Sequence, residues 1–259
     1  MLTLKFRAHT GKLYDLFAPD AAIGVPQGGL KLSANVTRTT QEALGRPGTF
    51  AADLSFGEMT GSLTTTIDAS RATPKATLEE IYLEWLNAHS FTRQGTLIAG
   101  RDNLPQLDRS AEVKLAQHLP NPDIVPENTT EMEVEAQLVA EYGAWFGPWK
   151  KATGSTFVEN TGQVPLTYRV RWKGEGGRVL LPSAAYFTLP PTTTERILYI
   201  SDDESCMVER TDGTPDRRLW KAMAGAVLPE PIAVGDTRAI TVPAGATLEW
   251  RLGYAHPWG

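Results

Sequence analysis

Over the last hundred residues, apolar and polar positions alternate with a period of two. Leu166, Tyr168, Val170 and Trp172 are interleaved with Thr167, Arg169, Arg171 and Lys173, the pattern of a strand with one core face and one wet face. Leu248, Trp250 and Leu252 repeat it against Glu249 and Arg251. Turn signals separate further short runs, among them Lys173-Gly174-Glu175-Gly176-Gly177 and Thr211-Asp212-Gly213-Thr214-Pro215. This region reads as a β-sandwich with Trp172 and Trp250 in its core, and Asp216-Arg217-Arg218-Leu219-Trp220 as a short helical turn over one end.

The N-terminal half follows the same period less regularly. Leu2, Leu4 and Phe6 alternate with Thr3 and Lys5, and Leu63, Thr65 and Ile67 with Thr64, Thr66 and Asp68. The stretch between them is rich in Gly, Ala and Thr, including Gln27-Gly28-Gly29 and Gly45-Arg46-Pro47-Gly48. It reads as strands joined by long loops. Those between Gly24 and Gly48 are too poor in apolar residues to build a core, so they are candidates for ordering on a partner.

One helix is predicted over 77–89. Thr77 caps it with Glu80 three positions on, a capping box, and Leu78, Ile81, Tyr82, Trp85 and Leu86 form one apolar stripe to lie across a sheet. Two strands follow, one carrying Ala111, Val113 and Leu115 and the other Met132, Val134, Ala136 and Leu138. They are expected to pair as a hairpin across the Pro-rich loop Leu119-Pro120-Asn121-Pro122-Asp123, with Glu135 beside Lys114. Tyr142, Trp145, Phe146 and Trp149 stand among glycines and mark a junction where an aromatic cluster packs one domain on the other. The boundary is placed near residue 152, giving domains 1–152 and 153–259. Trp145, Trp149 and Trp258 fall outside any clear pattern, which leaves exposure open for them beside the packing role of the cluster.

Composition narrows the function. The 259 residues suffice for two modest cores. A net charge of -5 and a pI near 5.5 give no reason to expect a nucleic-acid partner. No stretch approaches the roughly 20 apolar residues that span a bilayer, so no membrane insertion is expected. The N-terminus lacks a signal-peptide core, which implies synthesis in a host cytoplasm. Cys206 is the single cysteine and reads as a buried, inert thiol on a strand with Val208.

No HExxH, GxSxG, Walker or dinucleotide motif occurs. His9, His89, His118 and His256 are scattered without metal-ligand spacing. Asp202-Asp203-Glu204, with Asp212 and Asp216 nearby, reads as a solvated turn, a cation site being the alternative. Catalytic, cofactor-binding and metal residues are therefore all assigned as none, and the chain is not expected to be an enzyme. Its seven tryptophans leave a carbohydrate platform open as an alternative.

Several segments together resemble the distal tail proteins of long-tailed, siphovirus-like bacteriophages, a family of phage tail or minor tail proteins. They are Asn160-Thr161-Gly162 leading to Pro165, the strand Tyr168–Trp172, Arg196-Ile197-Leu198-Tyr199-Ile200-Ser201, the Val208…Thr211-Asp212-Gly213 turn and Arg217–Trp220. Ile240–Ala246 followed by Leu248–Leu252 completes the set. The resemblance implies a mainly β protein with a tail-tube-like barrel or sandwich carrying one flanking helix, followed by a galectin-like β-sandwich. It also implies a structural adaptor that forms a hexameric ring at the distal end of a virion tail and joins the tail tube to the tip or baseplate hub. Its expected partners are further copies of itself, the tail tube protein, the tip or hub protein and the tape-measure protein. A host glycan is the alternative partner, with the sandwich as a carbohydrate-binding module. No sugar-contacting residues carry over.

Overall fold

The computed structural model describes residues 1–42, 49–119, 129–201 and 206–258. The chain is mainly β and forms two compact units. Unit 1 comprises Met1–Phe146 together with Tyr254–Gly259, and unit 2 comprises Gly147–Gly253. The division thus falls at Phe146, not at 152, and the last residues return to unit 1.

Unit 1 contains β1 (Leu2–Arg7), β2 (Leu13–Asp15), β3 (Ile23–Gly24), β4 (Leu30–Glu42), β5 (Thr49–Asp68), α1 (Leu78–Ala88), β6 (Gly95–Arg101), β7 (Arg109–Leu115), β8 (Glu131–Ala140) and β9 (Trp145–Phe146). The sheet runs β2-β1-β6-β7-β8-β5-β3, with β4 also on β5 and every pairing antiparallel. Strand alternation puts Leu4 and Phe6, Leu97 and Ala99, Ala111 and Val113, Val134 and Ala136, and Leu63 and Ile67 into one core around α1.

The helix forms where its capping box predicts. The Thr77 side chain accepts from the Glu80 amide, and the Glu80 carboxylate accepts from the Thr77 amide at 2.8 Å. Leu78, Ile81, Tyr82 and Trp85 are buried. Trp85 meets Phe6 edge-on at 5.5 Å and Tyr14 at 5.2 Å, which ties the helix to the β1–β2 end of the sheet.

Two local expectations are corrected. β7 and β8 do pair antiparallel, at Lys114↔Val139 and Leu115↔Leu138, but in another register than expected, and β8 has its long pairing with β5, over ten residues. Glu135 consequently sits opposite Thr64, and Lys114 pairs instead with Glu141 at 2.8 Å. The proposed loop within Gly24–Gly48 is largely strand: β4 matches β5 from Leu30↔Leu63 to Glu42↔Thr49. Gly45-Arg46-Pro47-Gly48 lies outside the described residues, as does most of the Pro-rich connection after Leu119.

Unit 2 contains β10 (Lys150–Ala152), β11 (Ser155–Glu159), β12 (Tyr168–Gly174), β13 (Gly177–Leu180), β14 (Tyr186–Leu189), β15 (Thr192–Ile200), β16 (Val208–Arg210), α2 (Arg217–Met223), β17 (Thr237–Thr241) and β18 (Ala246–Trp250). They make two sheets, β10-β18-β12-β15-β16 and β11-β17-β13-β14. Val170, Trp172, Leu198 and Leu248 of the first sheet, and Val158, Val179, Phe187 and Ile240 of the second, are buried. Trp172 and Trp250 are core residues as read from the sequence. The helical turn is α2, capped by the Asp216 side chain, which accepts from the Leu219 amide. The two ends of the unit run side by side: the Gly147 amide donates to the Leu252 carbonyl at 2.9 Å, and Lys150 pairs with Trp250.

Candidate assembly surfaces

β5 has β8 on one side only from Met59 onward. From Asn35↔Gly57 to Glu42↔Thr49, β4 and β5 pair with each other and with no third strand among the described residues. That is a two-stranded ribbon of roughly 25 Å at the strand rise per residue. Val36, Thr37, Arg38, Thr39 and Thr40 are all exposed, so β4 buries no stripe over these residues. Isolated ribbons of this kind are marginal in water, and among the described residues no further strand takes up the backbone donors and acceptors of either edge.

The ribbon is firmly rooted. Trp145 is fully buried, and its indole N–H donates to the Leu32 carbonyl at 3.4 Å. Of the two readings open for Trp145, exposed or packed, the packed one holds. At the same root Gly61 has no room for a side chain, since a Cβ would lie 1.7 Å from the Lys31 carbonyl oxygen.

The polar face of the five-stranded sheet in unit 2 is not the wet surface its alternation suggests. Glu249 is 0% exposed. Its carboxylate accepts from Lys151 Nζ at 2.9 Å, Arg169 Nε at 2.8 Å and Arg171 Nε at 3.2 Å. Burial pushes its pKa up, but the hydrogen bonds from Lys151 and Arg171 and the charge and hydrogen bond of Arg169 outweigh it and hold the carboxyl below its ordinary range. Arg171 Nη1 also reaches Glu195, and Tyr199 Oη donates to Glu209. The Arg169 guanidinium lies 3.7 Å over the Trp149 ring, with Arg251 at 4.8 Å. Trp149 is partly exposed, but it is held by two arginines.

The outer face of the four-stranded sheet is different. Phe157 is 77% exposed and Tyr186 58%, with Leu180 between them and Arg178 over the Tyr186 ring at 4.2 Å. Ser155, Ala239, Thr241 and Thr188 share this face by strand alternation. It is a surface of hydroxyls and aromatic rings, with Arg178 and Glu159 as charges on the same face.

The histidines lie as follows. His118 is edge-on to Phe91, and the His256 carbonyl accepts from Arg109. His9 and His89 come together at the end of α1, facing the Ala88 and Trp85 carbonyls at 3.2 and 2.9 Å. Because a carbonyl only accepts, His89 carries its proton on Nδ1, leaving Nε2 buried and without a partner among the described residues. Its ring stacks on Phe6 at 4.8 Å. Nothing in the spacing of His9 and His89 signalled this.

Burial, opposed by the Trp85 hydrogen bond and reinforced by the His9 charge, pushes the His89 pKa down to about 4. The unfolded chain takes up this proton near pH 6.5 and the folded one only near 4, so stability falls as pH drops through that window and levels off below it. The expected loss is about 3 kcal/mol. Denaturant unfolding from pH 7.5 to 4 should show it, and His89→Phe should remove that part of the slope.

Among the described residues, no group of three His, Cys, Asp or Glu side chains is placed to hold a metal ion. Asp202-Asp203-Glu204 lies outside the described residues. Asp212 folds back on Thr214, and Asp216 pairs with Arg196 at 2.8 Å. Cys206 is half-buried in a turn ahead of β16 with φ of 51°, not on a strand, and its thiol faces the Ser201 and Val227 carbonyls.

No protein-family model matches the chain, and no curated protein does. Among solved structures, the chain shares its fold with the Dit protein (gp 19.1) of phage SPP1, presented as a paradigm of the hub adsorption apparatus in phages that infect Gram-positive bacteria. The two are 12% identical with a TM-score of 0.57, over 98% of this chain and 99% of that one. The baseplate of phage P2 in its activated conformation with Ca is also similar, at 7% identity and a TM-score of 0.49, over 97% of this chain and 98% of that one. The same baseplate with Sr gives 8% and 0.49, with the same coverage.

Proposed function

We propose that this chain is a structural adaptor of a bacteriophage tail. Six copies form a ring through unit 1, and the ring joins the distal end of the tail tube to the tip or baseplate hub. The observation that carries this reading is the two-stranded ribbon: a long, rooted element whose edges pair with no third strand among the described residues, so that a neighbour would complete it. The shared fold with SPP1 Dit across nearly the whole of both chains supports it. A ring requires one surface of a subunit to meet a different surface of the next, and strand edges suit that purpose. The partners are then further copies of this chain, the tube protein, the hub protein and the tape-measure protein. The protein acts by assembly, with no turnover of substrate.

Deleting residues 35–57 and closing β4 to β5 with a short turn should leave unit 2 folded and abolish rings and tails. Electron microscopy of assembled particles, comparing intact and deleted protein, checks this. Normal tails carrying the deletion would remove the ribbon from the proposal, and purified virions without this protein would remove the function.

Carbohydrate contact by unit 2 is a second reading, favoured by exposed Phe157 and Tyr186 on the hydroxyl-rich sheet face. Binding to host cell-wall polysaccharide that is lost in Phe157→Ala with Tyr186→Ala would support it. Equal binding by the variant would reject it.

A further inference from the structure

The sheet of unit 1 leaves a gap at one end because β2 and β3 are short. β2 covers β1 only from Lys5 to Arg7, and β3 covers β5 only at Thr66 and Ile67. The segment between these two strands bridges the gap: the Leu16 amide donates to the Leu4 carbonyl, and the Asp68 amide to the Ala22 carbonyl. A cleft of about 660 Å³ remains there, with Leu2, Phe17, Val25 and Pro26 among its apolar walls. Leu2 is 43% exposed, and the Phe17 ring stacks on half-buried Trp258 at 6.2 Å, which fixes that wall. Exposed apolar side chains gathered in one cleft are the mark of a contact surface.

The rim of the cleft is acidic. Asp68 is paired with Arg71 at 2.9 Å, but Glu131, exposed at the start of β8, has no ion pair among the described residues. Exposed Glu133 continues that charge along the same face of β8.

The ribbon carries the opposite set. Val36 lies opposite Phe56, and Arg38, two residues along β4, shares their face by alternation. Val36 is 44% exposed, and Arg38 is exposed with no ion pair among the described residues. An aliphatic and aromatic pair followed by a cation complements an apolar cleft with a carboxylate at its rim. The ribbon does not reach the cleft of its own chain. Both are built on β5, and roughly 30 Å of strand separates Phe56 from Thr66, with the rest of the ribbon running on away from the cleft.

We propose that this cleft is the seat for the ribbon of a second copy of this chain, with Val36 and Phe56 against Leu2 and Phe17, and Arg38 facing Glu131. The seat rests on the reading of the chain as a self-assembling adaptor and names the surface that the ribbon meets. Because cleft and ribbon lie at opposite ends of one strand, the contact is head-to-tail. Each copy gives one ribbon and receives another, and the series either closes into a ring or runs on as a filament.

The test mixes two full-length variants. Val36→Asp combined with Arg38→Glu spoils the ribbon and leaves the cleft, whereas Leu2→Asp spoils the cleft and leaves the ribbon. Val36 and Arg38 are exposed, so the ribbon variant should fold, and Glu131→Arg is a second cleft variant at an exposed side chain. Sedimentation velocity and negative-stain images read the size of the assemblies. The unaltered chain should form rings, and each variant alone should be monomeric. The two mixed should form a 1:1 dimer and stop, because one intact ribbon and one intact cleft remain between them. Arg38→Glu alone should weaken association roughly tenfold or more, and adding Glu131→Arg should restore most of it. No dimer in the mixture overturns the seat whatever the unaltered chain does. Rings that persist in either variant overturn it too, while leaving the adaptor reading intact. A dimer in the mixture beside open filaments of the unaltered chain keeps the seat and defeats the closed ring.

Discussion

Replacing Trp85 with alanine should cost about 3–5 kcal/mol of stability, the range for emptying a large aromatic from a packed core. Trp85 is 0% exposed and sits between α1 and the sheet. Phe6, Tyr14 and the His89 ring at 4.5 Å all pack on it, so the cavity left behind has rigid walls. Its indole N–H has no hydrogen-bond partner among the described residues. Trp85→Phe should therefore be far milder than alanine, because it removes an unsatisfied donor along with part of the volume. Denaturant unfolding of the two variants beside the parent checks both statements. A loss below about 0.5 kcal/mol for alanine would mean that the helix face is not packed in the free protein.

Glu249→Leu should cost about 3–4 kcal/mol, since it takes from two half-buried guanidinium groups the carboxylate they share and leaves Arg169 without an ion pair among the described residues. Arg169 and Arg171 both donate to this carboxylate, and Lys151 reaches it from the edge strand. Replacing the group as a unit is a different experiment. Combining Glu249→Leu with Arg169→Met and Arg171→Leu should recover most of the loss, because a buried ion cluster and a well-packed apolar one are close in free energy. Thermal unfolding of the single and triple variants separates the two cases. Equal destabilisation in both would show that the site depends on shape, not charge.

These two residues also mark what the sequence could and could not reveal. Trp85 was legible: a capping box at Thr77 and apolar positions spaced by three and four dictate a helix with that side chain at the centre of its buried face. The strands of both units were legible wherever one face is buried, as at Tyr168–Trp172 or Met132–Leu138. Glu249 was not. It occupies a polar position of an alternating strand, and it is buried because the register β10-β18-β12 brings Lys151, Arg169 and Arg171 around it. Register is a long-range property that alternation leaves open. The ribbon escaped for the opposite reason: from Asn35 to Thr40 neither face is covered, so no period marks it as strand. Trp145 and the return of Tyr254–Gly259 to unit 1 likewise depend on contacts between distant segments.

The side-by-side ends of unit 2 make it a cassette. Its first residue, Gly147, is hydrogen-bonded to Leu252, next to its last, so a domain of another shape whose own termini are adjacent could be spliced between Phe146 and Tyr254 without changing the sequence on either flank. Domain exchange at that position is thus a simple genetic event, and a short turn joining the flanks is enough to remove the module altogether. Unit 1 can keep a fixed role in such a lineage while the insert diversifies, which gives recombination a defined seam along this chain.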